Sequence, residues 1–208
     1  MEFMTGKTEK KTVLISDILS GEYEGKEVLL NGAVHKIRDM GEVAFVVLRT
    51  REGLVQTVYE EGTTTPELKE LCEEAAVTVK GTVALEERAP QGFEIRAVSF
   101  EILSKPVEPM PIAINKWKMN TSLETKLDLR PLSLRNVKER AKFRVQEGIV
   151  RGFRDYLHSQ GFTEIHSPKI GARGAEGGAN LFRLEYFHKH AVLAQSPQFY
   201  KQMMVGVF

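Results

Sequence analysis

The chain has 208 residues, of which 42% are hydrophobic and 27% charged, and its formal net charge is +1. These are the fractions of a globular chain with material for one large domain or two modest ones. The near-zero charge excludes a global basic field, though not a local basic patch, and the single cysteine, Cys72, excludes an intrachain disulfide framework and a Cys-based zinc site.

The N-terminal stretch "MEFMTGKTEKK" is polar and lacks the apolar centre of a signal peptide. No apolar run approaches the ~20 residues that a membrane helix needs. The expectation is a cytoplasmic protein whose residues 1–10 form a flexible tail.

Most of the next hundred residues read as strands. "EVLLNGAVHKIR", "VAFVVLRTR", "GLVQTVYEE", "AVTVKGTVAL" and "FEIRAVSFEIL" are short and rich in β-branched residues, and Gly25, Gly41, Gly53, Gly81 and Gly92 punctuate them. Between the third and fourth runs, "TPELKELCEEAA" has a helical pattern. Thr65 can cap it, Pro66 suits its first turn, and Leu68, Leu71, Cys72 and Ala75 share a face. Five strands with a helix after the third is the layout of an OB-fold, a small β-barrel that commonly binds oligonucleotides on one face. The expected domain spans residues 11–105.

"SKPVEPMPIAINKW" then brings Pro106, Pro109 and Pro111 close together. Each denies a backbone donor, so residues 106–135 are expected to be a linker with an extended start. A long amphipathic helix is expected from about Asn136 to Ser159. Phe143, Val145, Ile149, Val150, Phe153, Tyr156 and Leu157 form its stripe, and Gly161 forms its stop. "FTEIHSPKI" reads as a strand ending at a proline and "GARGAEGGANLF" as a glycine-rich loop. "AVLAQSPQFYKQMM" reads as a strand, a turn at Ser196-Pro197 and the start of a helix. Residues 136–208 form the second expected domain.

This order carries a resemblance. The helix with "GFTEIHSPKI" resembles motif 1 of the class II aminoacyl-tRNA synthetases, with Pro168 at the position of the motif proline of the dimer interface. "RDMGEVAFVVLRTREGLVQ" and "EGGANLF…QSPQFYKQ" resemble, in the expected order, the anticodon-domain and amino-acid-pocket signatures of archaeal-type aspartyl-tRNA synthetases. The resemblance implies an OB-fold anticodon-binding barrel followed by the truncated start of an α+β catalytic domain built on an antiparallel sheet. It also implies a homodimer that joins aspartate to tRNA(Asp) with ATP and Mg²⁺. The arginines that hold ATP in the family belong to motifs 2 and 3, which are not in this sequence. The expectation is therefore an N-terminal part, inactive alone, without the main ATP and Mg²⁺ ligands.

For the aspartate pocket the resemblance implies Glu176, Ser196, Gln198 and Lys201. The chemistry fits: a carboxylate pairs with the amino acid's ammonium, an ammonium meets its side-chain carboxylate, and an amide supplies donors and an acceptor. Ser196 can cap the helix that carries Gln198 and Lys201, three positions apart on one face. Asparaginyl relatives typically show "SGQ" followed by an acidic residue, where this chain has "SPQ" and Lys201. A neutral amide substrate has no use for a facing ammonium, so Lys201 points to aspartate. Taken singly, Lys201 and Glu176 also read as solvated charges.

For the anticodon, Phe45 resembles the aromatic on which a base stacks, and Gln56 the residue that reads the central uracil. Arg38 and Glu94 resemble the pair on the first base, a guanine whose acceptors suit Arg and whose donors suit Glu. Taken singly, Phe45 reads equally as a core residue and Arg38 and Glu94 as surface charges. His35 and Pro90 match the non-discriminating type, which also charges tRNA(Asn); discriminating relatives carry Trp and Lys there. His158, His166, His188 and His190 show no metal-ligand spacing, and no metal site is expected. Two other readings stay open. One is a stand-alone RNA-binding OB module with a vestigial catalytic start. The other is an asparaginyl- or lysyl-tRNA synthetase relative.

Overall fold

A computed structural model describes residues 12–174 and 180–208, which fall into two compact units that meet in sequence between Lys142 and Phe143.

In the first unit a short helix α1 (Ile15–Ile18) precedes five strands: β1 (Glu27–Asp39), β2 (Val43–Arg49), β3 (Leu54–Glu60), β4 (Ala76–Leu85) and β5 (Phe93–Ser104). They close a barrel in the order β1-β2-β3-β5-β4, with β1 and β4 paired to complete it. All the pairs are antiparallel except β3 with β5. This is the OB-fold. Alternation fills the inside: Ala44, Val46 and Leu48 of β2, Val55 of β3, Val77, Val79 and Val83 of β4, and Ile95 of β5 are buried in one cluster. The intervening positions face outward.

Strand β1 breaks this alternation once. Val28, Leu30 and Val34 point inward, and then the register with β2 slips between Val34 and Lys36. His35 is the extra residue of a β-bulge. A one-residue slip exchanges the two faces of everything after it, so Ile37 packs against the core and Arg38 emerges outside.

Gly81 does not punctuate strands as the sequence suggested; it lies inside β4, where a Cβ would stand 2.3 Å from the Arg96 carbonyl oxygen. There the glycine allows close approach of two backbones. The helix expected across residues 65–75 is only a single turn of 3-10 helix, Leu68–Glu70. Thr65 bridges to Ser99 at one end, and Glu74, with φ 67°, donates its N–H to Val34 at the other. These tertiary ties hold a segment too short to sustain a helix by propensity.

Residues 105–122 have no regular structure but are packed: Ile112, Ile114 and Met119 are buried in a small cluster with Leu129 and Leu132 against them. Helices α2 (Leu123–Asp128) and α3 (Arg130–Ser133) follow. The long helix α4 spans Val137–Ser159. Asn136 caps it, accepting from the backbone N–H groups of Lys138 and Glu139 at 3.0 and 3.1 Å.

In the second unit the α4 stripe is open among the described residues; Phe153, for example, is 66% exposed. Residues 162–168, expected as a strand, have no strand pairing. Strands β6 (Ile170–Gly171), β7 (Arg183–Tyr186) and β8 (Lys189–Leu193) form an antiparallel sheet in the order β6-β8-β7, and α5 (Gln198–Val205) follows. No helix among the described residues is long and apolar enough to cross a membrane.

Candidate nucleic-acid interface

The outward positions of β1, β2, β3 and β5 bring four of the expected residues together. Arg38 lies directly across from Phe45, and Gln56 directly across from Glu94. The Arg38 guanidinium sits 5.4 Å from the centre of the Phe45 ring. Its Nη2 donates to Gln56 Oε1 at 3.0 Å, and Gln56 Nε2 donates to Glu94 Oε2 at 3.1 Å. Gln56 and Glu94 are buried, Phe45 is half-buried and Arg38 is exposed. The result is an aromatic face beside a row of donors and acceptors whose orientation the sheet and the hydrogen bonds fix. Such a row can exchange its internal bonds for those of a base edge while the ring takes a base on its face.

His35 and Pro90 line one cavity of about 310 Å³ together with Lys36, Arg38, Lys116 and Trp117. Pro90 is exposed, whereas His35 is buried in the bulge. Its Nδ1 lies 3.3 Å from Arg49 Nη1. Arg49 in turn grips Glu74 with both nitrogens, at 2.5 and 2.7 Å, and Arg135 donates to the same carboxylate at 3.0 Å. Burial first, and then the charge of Arg49, hold the His35 imidazole below its usual value, which favours the neutral ring. Burial works to raise the Glu74 carboxyl, but the hydrogen bonds and charge of Arg49 and then Arg135 outweigh it and keep the group below the usual carboxylate range.

Sequence reasoning missed this Arg49–Glu74–Arg135 group, because a salt bridge between residues 25 apart leaves no local pattern. It also missed Asn136, whose Nδ2 donates to the carbonyls of Ile114 and Lys116 at 2.8 and 2.7 Å. That cap had a legible signal: Asn136 stands directly before a helical pattern, with Glu139 three residues on.

The residues expected for the amino acid lie in the second unit. Gln198 and Lys201 are on α5, Gln198 half-buried and Lys201 exposed. Ser196 does not cap α5: the cap position is Pro197, and no side chain bonds there. The proline takes the place where the serine hydroxyl was expected to act. Glu176 lies outside the described residues. Pro168 is exposed in the irregular segment before β6. Among the described residues, no group of three or more His, Cys, Asp or Glu side chains gathers to hold a metal ion.

A five-stranded barrel with a base-sized aromatic and a row of amide, carboxylate and guanidinium groups on its outer face is a nucleic-acid-binding OB domain. Residues 28–103 match the OB-fold nucleic acid binding domain, and residues 122–208 match the class II tRNA synthetases (D, K and N). The chain is 46% identical over 196 residues to the aspartate–tRNA(Asp/Asn) ligase of Thermus thermophilus, covering 94% of this chain and 44% of that protein. With the enzyme of the same name from Deinococcus radiodurans it shares 47% over 187 residues, covering 90% of this chain and 42% of that protein. Among solved structures, asparaginyl-tRNA synthetase from Pyrococcus horikoshii in complex with asparaginyl-adenylate superimposes with a TM-score of 0.77 at 34% identity, covering 89% of this chain and 43% of that one. Aspartyl-tRNA synthetase from Entamoeba histolytica gives 0.69 at 28%, covering 96% and 44%. Residues 122–208 are thus similar to the class II tRNA synthetases of the D, K and N type, and the chain spans less than half the length of the relatives it matches.

Proposed function

We propose that this chain is the N-terminal part of a cytoplasmic aspartate–tRNA ligase that charges both tRNA(Asp) and tRNA(Asn). In this reading residues 11–105 bind the anticodon, residues 106–135 link, and residues 136–208 open the catalytic domain. The observation that carries it is the joined set Arg38, Phe45, Gln56 and Glu94 on one barrel face. Phe45 stacks a base, Gln56 reads the central uracil, and Arg38 with Glu94 reads the first guanine.

Lys201 and Gln198, on one helix, serve the aspartate side chain, with Glu176 for its ammonium and Ser196 as a further polar group. ATP and Mg²⁺ belong to the proposal for the whole protein, and no step of their chemistry is assigned to the residues described here. A homodimer through the motif 1 element that holds Pro168 completes the reading.

Dual charging follows from His35 and Pro90. Discrimination is a difference of affinities, and a position without a penalising side chain stays permissive. The shared cavity that both residues line with Arg38 supports a role near the third anticodon base. Aminoacylation by the full-length protein tests the proposal. Aspartate should be attached to transcripts of both tRNAs, and H35W/P90K should shift the preference to tRNA(Asp) about tenfold, a change of ~1.4 kcal/mol. Charging with asparagine or lysine instead of aspartate would overturn the reading of Lys201. Rejection of tRNA(Asn) by the wild type would remove dual charging alone.

A further inference from the structure

We propose that Trp117 is a second RNA-stacking platform, set beside the base-reading cluster and flanked by lysines that take phosphates. The proposal rests on the barrel being an RNA binder and adds a site outside the barrel strands.

Trp117 is 72% exposed, although a Trp usually covers most of its large apolar surface. It is not there through slackness of the chain. Ile114 and Met119 on either side are buried, and Asn136, itself 2% exposed, holds the carbonyls of Ile114 and Lys116. The backbone under the indole is therefore fixed while the ring is presented outward.

The surroundings are cationic. Lys116 and Lys118 flank the ring in sequence and are exposed, and Lys138 Nζ stands 5.8 Å from the ring centre. Trp117 and Lys116 line the cavity that also holds Lys36, Arg38, His35 and Pro90. An aromatic face among lysines, next to a guanidinium–aromatic pair, suits a polyanion with flat bases. Single-stranded RNA has both features, so a nucleotide that leaves the base-reading cluster can stack on Trp117 with its phosphates against Lys116, Lys118 and Lys138.

Trp117 is the sole tryptophan of the chain, so its fluorescence reports this site directly. The test titrates the 208-residue chain with a labelled anticodon stem-loop of tRNA(Asp), following RNA anisotropy and tryptophan emission together. The expected result is quenching that tracks the anisotropy, and binding about 5- to 150-fold weaker in Trp117→Ala, from the worth of one stacked base. Trp117→Phe should restore most of the affinity. Replacing Lys116 and Lys118 by Ala should lower the slope of log affinity against log salt by roughly 1.4. If the RNA binds with unchanged emission, and Trp117→Ala binds as tightly as the wild type, the platform is wrong and the barrel reading stands. If no stem-loop binds at all, both fall.

Discussion

Gln56 and Glu94 face each other across the parallel pair β3–β5, and the Gln56 amide donates to the Glu94 carboxylate at 3.1 Å. The same amide accepts from Arg38 across the barrel face. An amide has a fixed order of donor and acceptor, so holding both ends fixes which way it presents. In the proposed role the cluster is therefore oriented before any base arrives, and binding exchanges its internal bonds for those of the base edge.

In the proposed role the face of Phe45 acts independently of base identity. Phe45→Ala should weaken binding of an anticodon stem-loop by ~1–3 kcal/mol for every base sequence alike. Direct titration of the chain measures this. Equal affinity of variant and wild type would show that no base stacks on this ring.

The Arg49–Glu74–Arg135 group makes a stability prediction. Removing Glu74 leaves the Arg49 guanidinium buried without its carboxylate, and uncompensated charges of this kind cost about 3–5 kcal/mol. Urea unfolding of Glu74→Ala should show a loss of that order. Arg135→Ala should cost less, on the scale of a surface pair, about 0–1 kcal/mol, because its side chain is half exposed. A Glu74→Ala variant as stable as the wild type would contradict a stabilising role for the group.

Acid should destabilise the first unit in two stages. The His35 value is lowered from about 6.5, so as pH falls through that value the unfolded chain takes the proton first and stability declines until the pH passes the folded value. Glu74 is lowered from about 4.5, so its contribution is present above that pH and is lost below it. Thermal melts between about pH 8 and about pH 2 should show both stages, and His35→Gln should remove the upper one. A wild-type melting temperature that rises as the pH drops from 6.5 would contradict the buried neutral imidazole.

Much of the barrel was legible because strands announce themselves locally: "AVTVKGTVAL" is β4 from end to end. The bulge was also legible, though unread, since the apolar step from Val34 to Ile37 is odd where a regular strand requires an even one. The segment after Thr65 misled because its helical spacing is real, yet ties to Ser99 and Val34 decide its course. Arg38, Phe45, Gln56 and Glu94 were singled out through resemblance, and their mutual bonding is a property of register that no local pattern reveals. The burial of His35 and the packing of residues 112–119 likewise depend on partners distant in sequence.

The base-reading role of the barrel face is tested most directly by binding of the 208-residue chain to anticodon stem-loops that differ by a single anticodon base. Replacing the first guanine or the central uracil should weaken binding by ~1–3 kcal/mol each, while exchanging C for U at the third position should change it little. Equal affinity for all the loops, or a strong preference at the third base alone, would contradict that role.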